Sequence, residues 1–228
     1  MEEEIIVQSK PQCLIIIDLL FWLMPEMKLF GGSVRDILSH SESHHLHILI
    51  EPMSQATMIK KFNRLVDSLE IYGFSICLEN CHSHSLVKNL TQIGIAQTII
   101  SKYGSNSKKI KLLLVTPSKM YEYYPVFRCD LLYLTKDGDI QLRECPSLSK
   151  YRSHLSSQRV QLILEVLDDI NHKRLVLLEP IKIKNGYENR FIRSKIAYKL
   201  IRLQERGWSA DGFTLGDCDI NLEIFQIK

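Results

Sequence analysis

The 228-residue sequence has no apolar run long enough to cross a bilayer and no internal repeat or low-complexity tract. Its most apolar stretch, Cys13 to Met24, is interrupted by Asp18 and falls short of the ~20 residues a membrane helix needs. A buried core helix is expected there, and no membrane partner. The start, Met1-Glu2-Glu3-Glu4, is acidic and lacks the positive region of a secretory signal. Without such a signal, six scattered cysteines read as free thiols in a reducing, intracellular (cytoplasmic) setting, not as a disulfide framework. Charge of one sign is also scarce. A net +3 cannot by itself argue for nucleic-acid binding, so local clusters must carry that case. No elbow motif supports a Ser- or Cys-based nucleophile.

What is present is 45% apolar residues, enough for one large core or two small ones. Pro11 is placed to start a first helix that stops before Pro25. Lys28 to Phe30 reads as a short strand, Asp36 to Ser39 as the end of a short helix, and His45 to Glu51 as a strand ended by Pro52. Ser54 is the expected cap of a helix to about Ile71. Its Met58, Ile59, Phe62, Leu65, Val66 and Leu69 make an amphipathic stripe, and Gly73 is placed to end it. Phe74 to Leu78 is a predicted strand, Asn80 to Asn89 a loop, and Gln92 to Tyr103 fits helix or strand. A basic turn at Ser105 to Lys109 leads into the buried strand Ile110 to Thr116. Phe127 to Thr135 and Ile140 to Arg143 are predicted strands joined through Asp137-Gly138, a hairpin signal. From Gln158 the character is helical, with an apolar face of Val160, Ile163, Leu164, Leu167 and Ile170, then a helix over Arg190 to Arg206 before Gly207. The shift near residue 150 divides the chain into an α/β part, 1–150, and a helical part, 151–228.

The stretch Leu29-Phe30-Gly31-Gly32-Ser33-Val34-Arg35-Asp36-Ile37-Leu38 reads as a Gly-Gly turn opening a helix. Gly31 and Gly32 permit positive φ and close approach of a phosphate, Ser33 is placed as N-cap, and its hydroxyl suits a backbone amide or a phosphate oxygen. Arg35 is placed to hold a phosphate or to pair with Asp36 or a core carboxylate. This turn, at Gly31, Gly32, Val34, Arg35 and Asp36, resembles that of the tRNA nucleotidyltransferase (CCA-adding) and poly(A) polymerase group within the polymerase-β-like nucleotidyltransferase superfamily. Two weaker resemblances follow in order: Phe127 to Leu134 with Asp137 to Ile140, and a neck-like segment comprising Lys173 to Val176, Arg190 to Leu203 and Gly207-Trp208. Together they cover roughly residues 29 to 213. The neck-like part ends close to the last residue, so the body and tail domains that usually hold tRNA are not expected.

In that family the strand after the turn carries Asp-x-Asp; here it carries His45 and His47. Nucleotidyl transfer uses two Mg²⁺ ions. Mg²⁺ wants oxygen ligands in near-octahedral geometry, whereas neutral imidazole suits Zn²⁺ and other borderline metals. A third carboxylate is expected on Ile110 to Thr116, and none occurs there. Glu51 shares the face of His47 but lies more than about 10 Å along the strand. Asp130 aligns with a non-metal position. His40, His44, His45 and His47 cluster, as do Cys77, Cys81, His82 and His84. Neither group has the two-pair spacing of a zinc fold, and loop histidines with a buried thiol are the expectation.

Arg190, Arg193, Lys195, Lys199, Arg202 and Arg206 supply the candidate RNA surface, with smaller patches at Lys60, Lys61, Arg64 and at Lys108, Lys109, Lys111. The fold implied is α+β: a nucleotidyltransferase-like mixed sheet with flanking helices, then a helical neck. The function implied is a catalytically degenerate, pseudoenzyme-like protein in which Gly31, Gly32, Ser33 and Arg35 keep a vestigial phosphate turn. It would bind RNA or NTP, without metal or other cofactor, as a binding or regulatory subunit that pairs with itself in a homodimer or with an active polymerase relative. An active template-independent enzyme extending RNA 3′ ends with Mg²⁺, and a scaffold keeping only the fold, are the alternatives. A stripped-down copy of this kind would suit a large DNA virus.

Overall fold

The computed structural model describes residues 11–77, 83–103, 109–123, 125–143, 156–178 and 187–214. Its order is α1 (Gln12–Leu23), β1 (Lys28–Phe30), α2 (Gly32–Leu38), β2 (His45–Leu49), α3 (Gln55–Ile71), β3 (Phe74–Cys77), α4 (Ser83–Gln92), β4 (Ile95–Lys102), β5 (Ile110–Val115), β6 (Leu132–Leu134), β7 (Ile140–Leu142), α5 (Ser156–Asn171), β8 (Arg174–Val176), α6 (Tyr187–Gln204) and β9 (Ser209–Asp211). The fold class is α+β. A seven-stranded mixed sheet runs β3-β4-β5-β2-β1-β6-β7, beside a two-stranded pair β8-β9. Within the large sheet β2 and β5 are parallel, and β1–β2, β1–β6, β3–β4 and β4–β5 are antiparallel.

Contacts divide the chain into two compact units, 1–123 with 133–139, and 124–132 with 140–228. In the first, helices cover one sheet face. Leu29, Leu46, Ile48, Ala96, Ile100, Leu112 and Leu114 are buried on that side, and α3 and α4 pack on it through Phe62, Leu65 and Leu86. The α3 stripe behaves as its spacing predicts: Met58, Phe62, Leu65 and Leu69 are buried. Ser54 caps the helix by accepting from the Thr57 amide at 3.2 Å, and Gly73 follows its end at φ +76°. Helix α1 buries Ile16, Ile17, Leu20 and Phe21 but turns Trp22 outward. One expectation is corrected: residues 83–89, read as loop, belong to α4, because Leu86, Val87 and Leu90 form a buried stripe. The segment that fits helix or strand is strand over 95–102, where buried Ala96, Thr98 and Ile100 alternate with more exposed neighbours at a period of two.

The second unit is organised around Phe127 and Asp169. The stretch predicted as strand from Phe127 instead makes a single bridge at Phe127 to Leu177 and a 3-10 turn over Arg128–Asp130 before β6 begins. That turn aims Arg128 at Asp169, whose oxygens lie 2.6 and 3.0 Å from its Nε and Nη2, while Glu165 takes Nη1 at 2.9 Å. Asp169 is fully buried and also accepts from Arg174 on β8 at 3.2 Å. This anchor rotates α5 away from the expected face: Leu162, Val166, Asp169 and Ile170 are buried, and Val160 and Leu164 are exposed. The hairpin at Asp137-Gly138 is present, with Gly138 at φ +83° and the Thr135 amide donating to the Asp139 carbonyl. The composition shift near residue 150 lies outside the described residues, as do Cys81, His82, residues 104–108 and the junction 179–186. No helix among the described residues is long and apolar enough to cross a membrane.

Breaking a buried, multiply bonded ion pair leaves an uncompensated charge, at a cost of about 3 kcal/mol. Asp169→Ala is therefore expected to lower the urea midpoint of unfolding by that equivalent, whereas Asp168→Ala, on an exposed carboxylate of the same helix, is expected to cost under about 1 kcal/mol.

Candidate functional site: the Gly-Gly turn and the open sheet face

The turn between β1 and α2 depends on Gly31, which adopts φ 61° and ψ −131°, a region closed to residues with a Cβ. Gly31, not Ser33, is the N-cap residue, which corrects the capping expectation. Ser33 is buried one step inside the helix, and its hydroxyl bridges to β2. It donates to the His45 carbonyl at 3.0 Å and accepts from the His47 amide at 2.7 Å. Ser43 also donates to the His45 carbonyl, at 2.9 Å. Arg35 folds back under the turn, so that a Cβ on Gly32 would stand 3.1 Å from its Nη2. Its Nε and Nη2 hold Asp36 Oδ1 at 3.1 and 3.0 Å, with both side chains buried. Of the readings open for Arg35, the pairing with Asp36 is present. A phosphate at this turn would have to draw Arg35 off Asp36 and Ser33 off the backbone of β2.

The sheet face opposite the covering helices carries the two histidines. His45 is exposed and His47 half-buried, and an i, i+2 pair on a strand shares one face at about 7 Å spacing. In the parallel register His45 pairs with Lys111, His47 with Leu113 and Leu49 with Val115. Register extends this face to Gln97 and Ile99 on β4 and to Lys28 beside Leu49 on β1. Phe30, Leu49 and Val115 form a small apolar cluster at one end, joined by Met120, Tyr123 and Tyr133. The His47 ring lies 5.5 Å from that of Phe30, at 40°. The ammonium of Lys28 sits 5.5 Å over the Tyr133 ring. The described strand positions of this face thus present Lys28, His45, His47 and Lys111, and none of them is a carboxylate.

That set does not fit two Mg²⁺ ions. Both would lack anionic oxygen ligands on β2, and the Lys111 ammonium stands on the neighbouring strand beside His45, where a divalent cation is repelled. Among the described residues no group of three or more His, Cys, Asp or Glu side chains is arranged to hold a metal. The histidine cluster accordingly disperses: His40 ends the turn after α2 at φ +52° and His44 is exposed ahead of β2. Cys77 lies on β3 and His84 on α4.

The candidate RNA residues lie on or just after α6, in the second unit. Arg190, Arg193 and Lys195 belong to that helix. Lys199 is directed inward: it pairs with the buried carboxylate of Asp130 and lies 5.4 Å over the Phe127 ring. Arg202 is exposed, donates to the Tyr198 hydroxyl at 3.0 Å and lies over its ring, and Arg206 is exposed at the end. Only the strand register, which sequence spacing does not supply, puts Lys111 beside His45 and Lys28 beside Leu49 on this face.

A scan against protein-family models and a search of curated proteins give no match. Solved structures do show similarity. The CCA-adding enzyme of Thermotoga maritima, complexed with tRNA, is 12% identical with a TM-score of 0.48, over 93% of this chain and 42% of that one. A CCA-adding enzyme in complex with ATP is 12% identical at 0.46, over 89% and 40%. An apo tRNA-processing enzyme is 14% identical at 0.48, over 95% and 48%. This chain thus spans less than half the length of each, and no residue role is carried over from them.

Removing the Ser33 hydroxyl costs the part-buried His47 amide and His45 carbonyl a shared hydrogen-bond partner, at about 1 kcal/mol. Ser33→Ala is expected to destabilise the chain by that amount, and Gly31→Ala by about 1–3 kcal/mol through backbone strain, both read from urea unfolding followed by circular dichroism.

Proposed function

We propose that the chain is a catalytically degenerate nucleotidyltransferase-like protein that binds RNA or a nucleotide, and that its open sheet face makes the contact. The observation that carries this reading is the substitution of charge on that face. Where the resembling family places metal-binding carboxylates, this chain has His45 and His47, with Lys111 in register beside them. Such a face attracts phosphate through its own ammonium groups instead of through bound metal ions. The partly exposed His47 and Tyr133 rings offer surfaces of the kind on which bases stack, with the buried Phe30 packed behind them. The exposed Arg202 and Arg206 of the second unit supply a separate cationic surface for a polyanion. In this reading the protein serves as a binding or regulatory subunit, working with an active polymerase relative or a second copy of itself.

The internal bonds of Ser33 and Arg35 favour a plainer second reading. In it the Gly-Gly turn survives as a structural joint and the protein is a scaffold that has kept only the fold.

The test combines incorporation and binding. Purified protein is given labelled NTPs, short RNA and tRNA lacking its 3′ end, with Mg²⁺ and then Mn²⁺. No extension is expected. A labelled single-stranded RNA is expected to bind with an affinity that falls as salt rises, and Lys111→Glu is expected to weaken it about tenfold. Extension lost in His45→Ala/His47→Ala would overturn the degenerate reading and make those imidazoles ligands. Neither extension nor binding would leave the scaffold.

A further inference from the structure

On the first unit, away from the open face, α1 and the end of α3 enclose a groove of about 610 Å³ lined by Ile15, Asp18, Leu19, Trp22, Ile71 and Tyr72, among others. Three of these are large hydrophobic residues turned to solvent: Trp22 is 69% exposed, Ile71 83% and Tyr72 55%. Aromatic and large aliphatic side chains grouped around a concavity are the composition of binding hot spots, not of an ordinary solvated surface.

Charge narrows the occupant. Helix α3 ends at this groove with Asp67 and Glu70 in its final turns and no basic residue in the last one. Carboxylates at a helix C-terminus oppose the macrodipole. The Asp18 carboxylate lines the groove itself. A second copy seated face to face would set these acidic groups against themselves, since an isologous contact pairs a patch with its own image. We infer that the groove is a docking site for an apolar amphipathic helix of a different protein, bearing a Lys or Arg that meets the Asp67 and Glu70 carboxylates at the α3 terminus.

The chain supplies its own reporter. Of its two tryptophans, Trp208 is 2% exposed, so a change in emission on docking reports Trp22. The probe is a synthetic 18-residue helical peptide lacking Trp and Tyr, with a Leu/Phe stripe flanked by Lys, compared with the same peptide carrying Glu at those positions. With the full chain, the Lys peptide is expected to shift Trp22 emission to the blue and to bind about tenfold more tightly than the Glu peptide. Ile71→Arg, at an exposed position, is expected to weaken Lys-peptide binding about tenfold while leaving the far-ultraviolet circular dichroism unchanged. Equal affinities for the two peptides, no binding of either, or tight binding insensitive to Ile71→Arg would each overturn the inference. So would self-association in sedimentation that Ile71→Arg abolishes, or a Trp22 shift on neutral phosphatidylcholine vesicles matching that of the peptide.

Discussion

The Ser33 hydroxyl holds two backbone groups of β2 at once, the His45 carbonyl and the His47 amide. The rest of the first unit depends on that bridge. It clamps the Gly31-Gly32 turn to the strand that runs through the middle of the sheet, and so sets where α2 lies and which face of β2 is left open. Gly31 makes the bridge possible by taking a backbone conformation that places Ser33 over the strand. Gly32 makes room for the Arg35 guanidinium, which neutralises the buried Asp36 from one turn of the same helix. Gly31, Gly32, Ser33 and Arg35 therefore each have a packing reason that holds without any ligand.

The consequence for function is a division of labour between the turn and the strand. The turn is rigid and satisfied internally; the strand beyond it displays imidazoles and, through its parallel partner, an ammonium. Phosphate contact needs little more than positive charge and ring surfaces within reach, and both stand on this face. Metal-assisted transfer needs anionic oxygen at fixed geometry, which the described face does not offer. Arg128, Asp169 and Arg174 hold the second unit together by a buried ionic network, and Lys199 is spent on Asp130 in the same interior. The cations of α6 thus serve unequally, Lys199 inside and Arg202 outside.

Much of this was legible in the residues. The Ser54 cap, the α3 stripe, the strand at Ile110 and the hairpin at Asp137-Gly138 each rest on a local rule that tertiary packing did not override. The failures share a cause. Helix α4 was hidden because Ser83 and Ser85 beside His84 read as loop, and its short apolar stripe spans under three turns. The face of α5 was misjudged because an apolar count cannot anticipate that Asp169 is drawn inside by Arg128 across forty-one residues of sequence. Ser33 was read as a cap because cap and bridge use the same residue type at nearly the same place. The most consequential neighbour, Lys111, is visible only in the strand register.

The claim at the centre of this account is that the open face meets anions through its own cations and not through metal. It is tested most directly by measuring single-stranded RNA affinity in excess EDTA and again in millimolar Mg²⁺ at matched ionic strength. Equal affinity in the two buffers, or slightly lower affinity with Mg²⁺ through competition for phosphate, is the predicted result. Binding that appears only with Mg²⁺, and is lost on replacing His45 and His47 with Ala, would contradict it and place metal ions on the face.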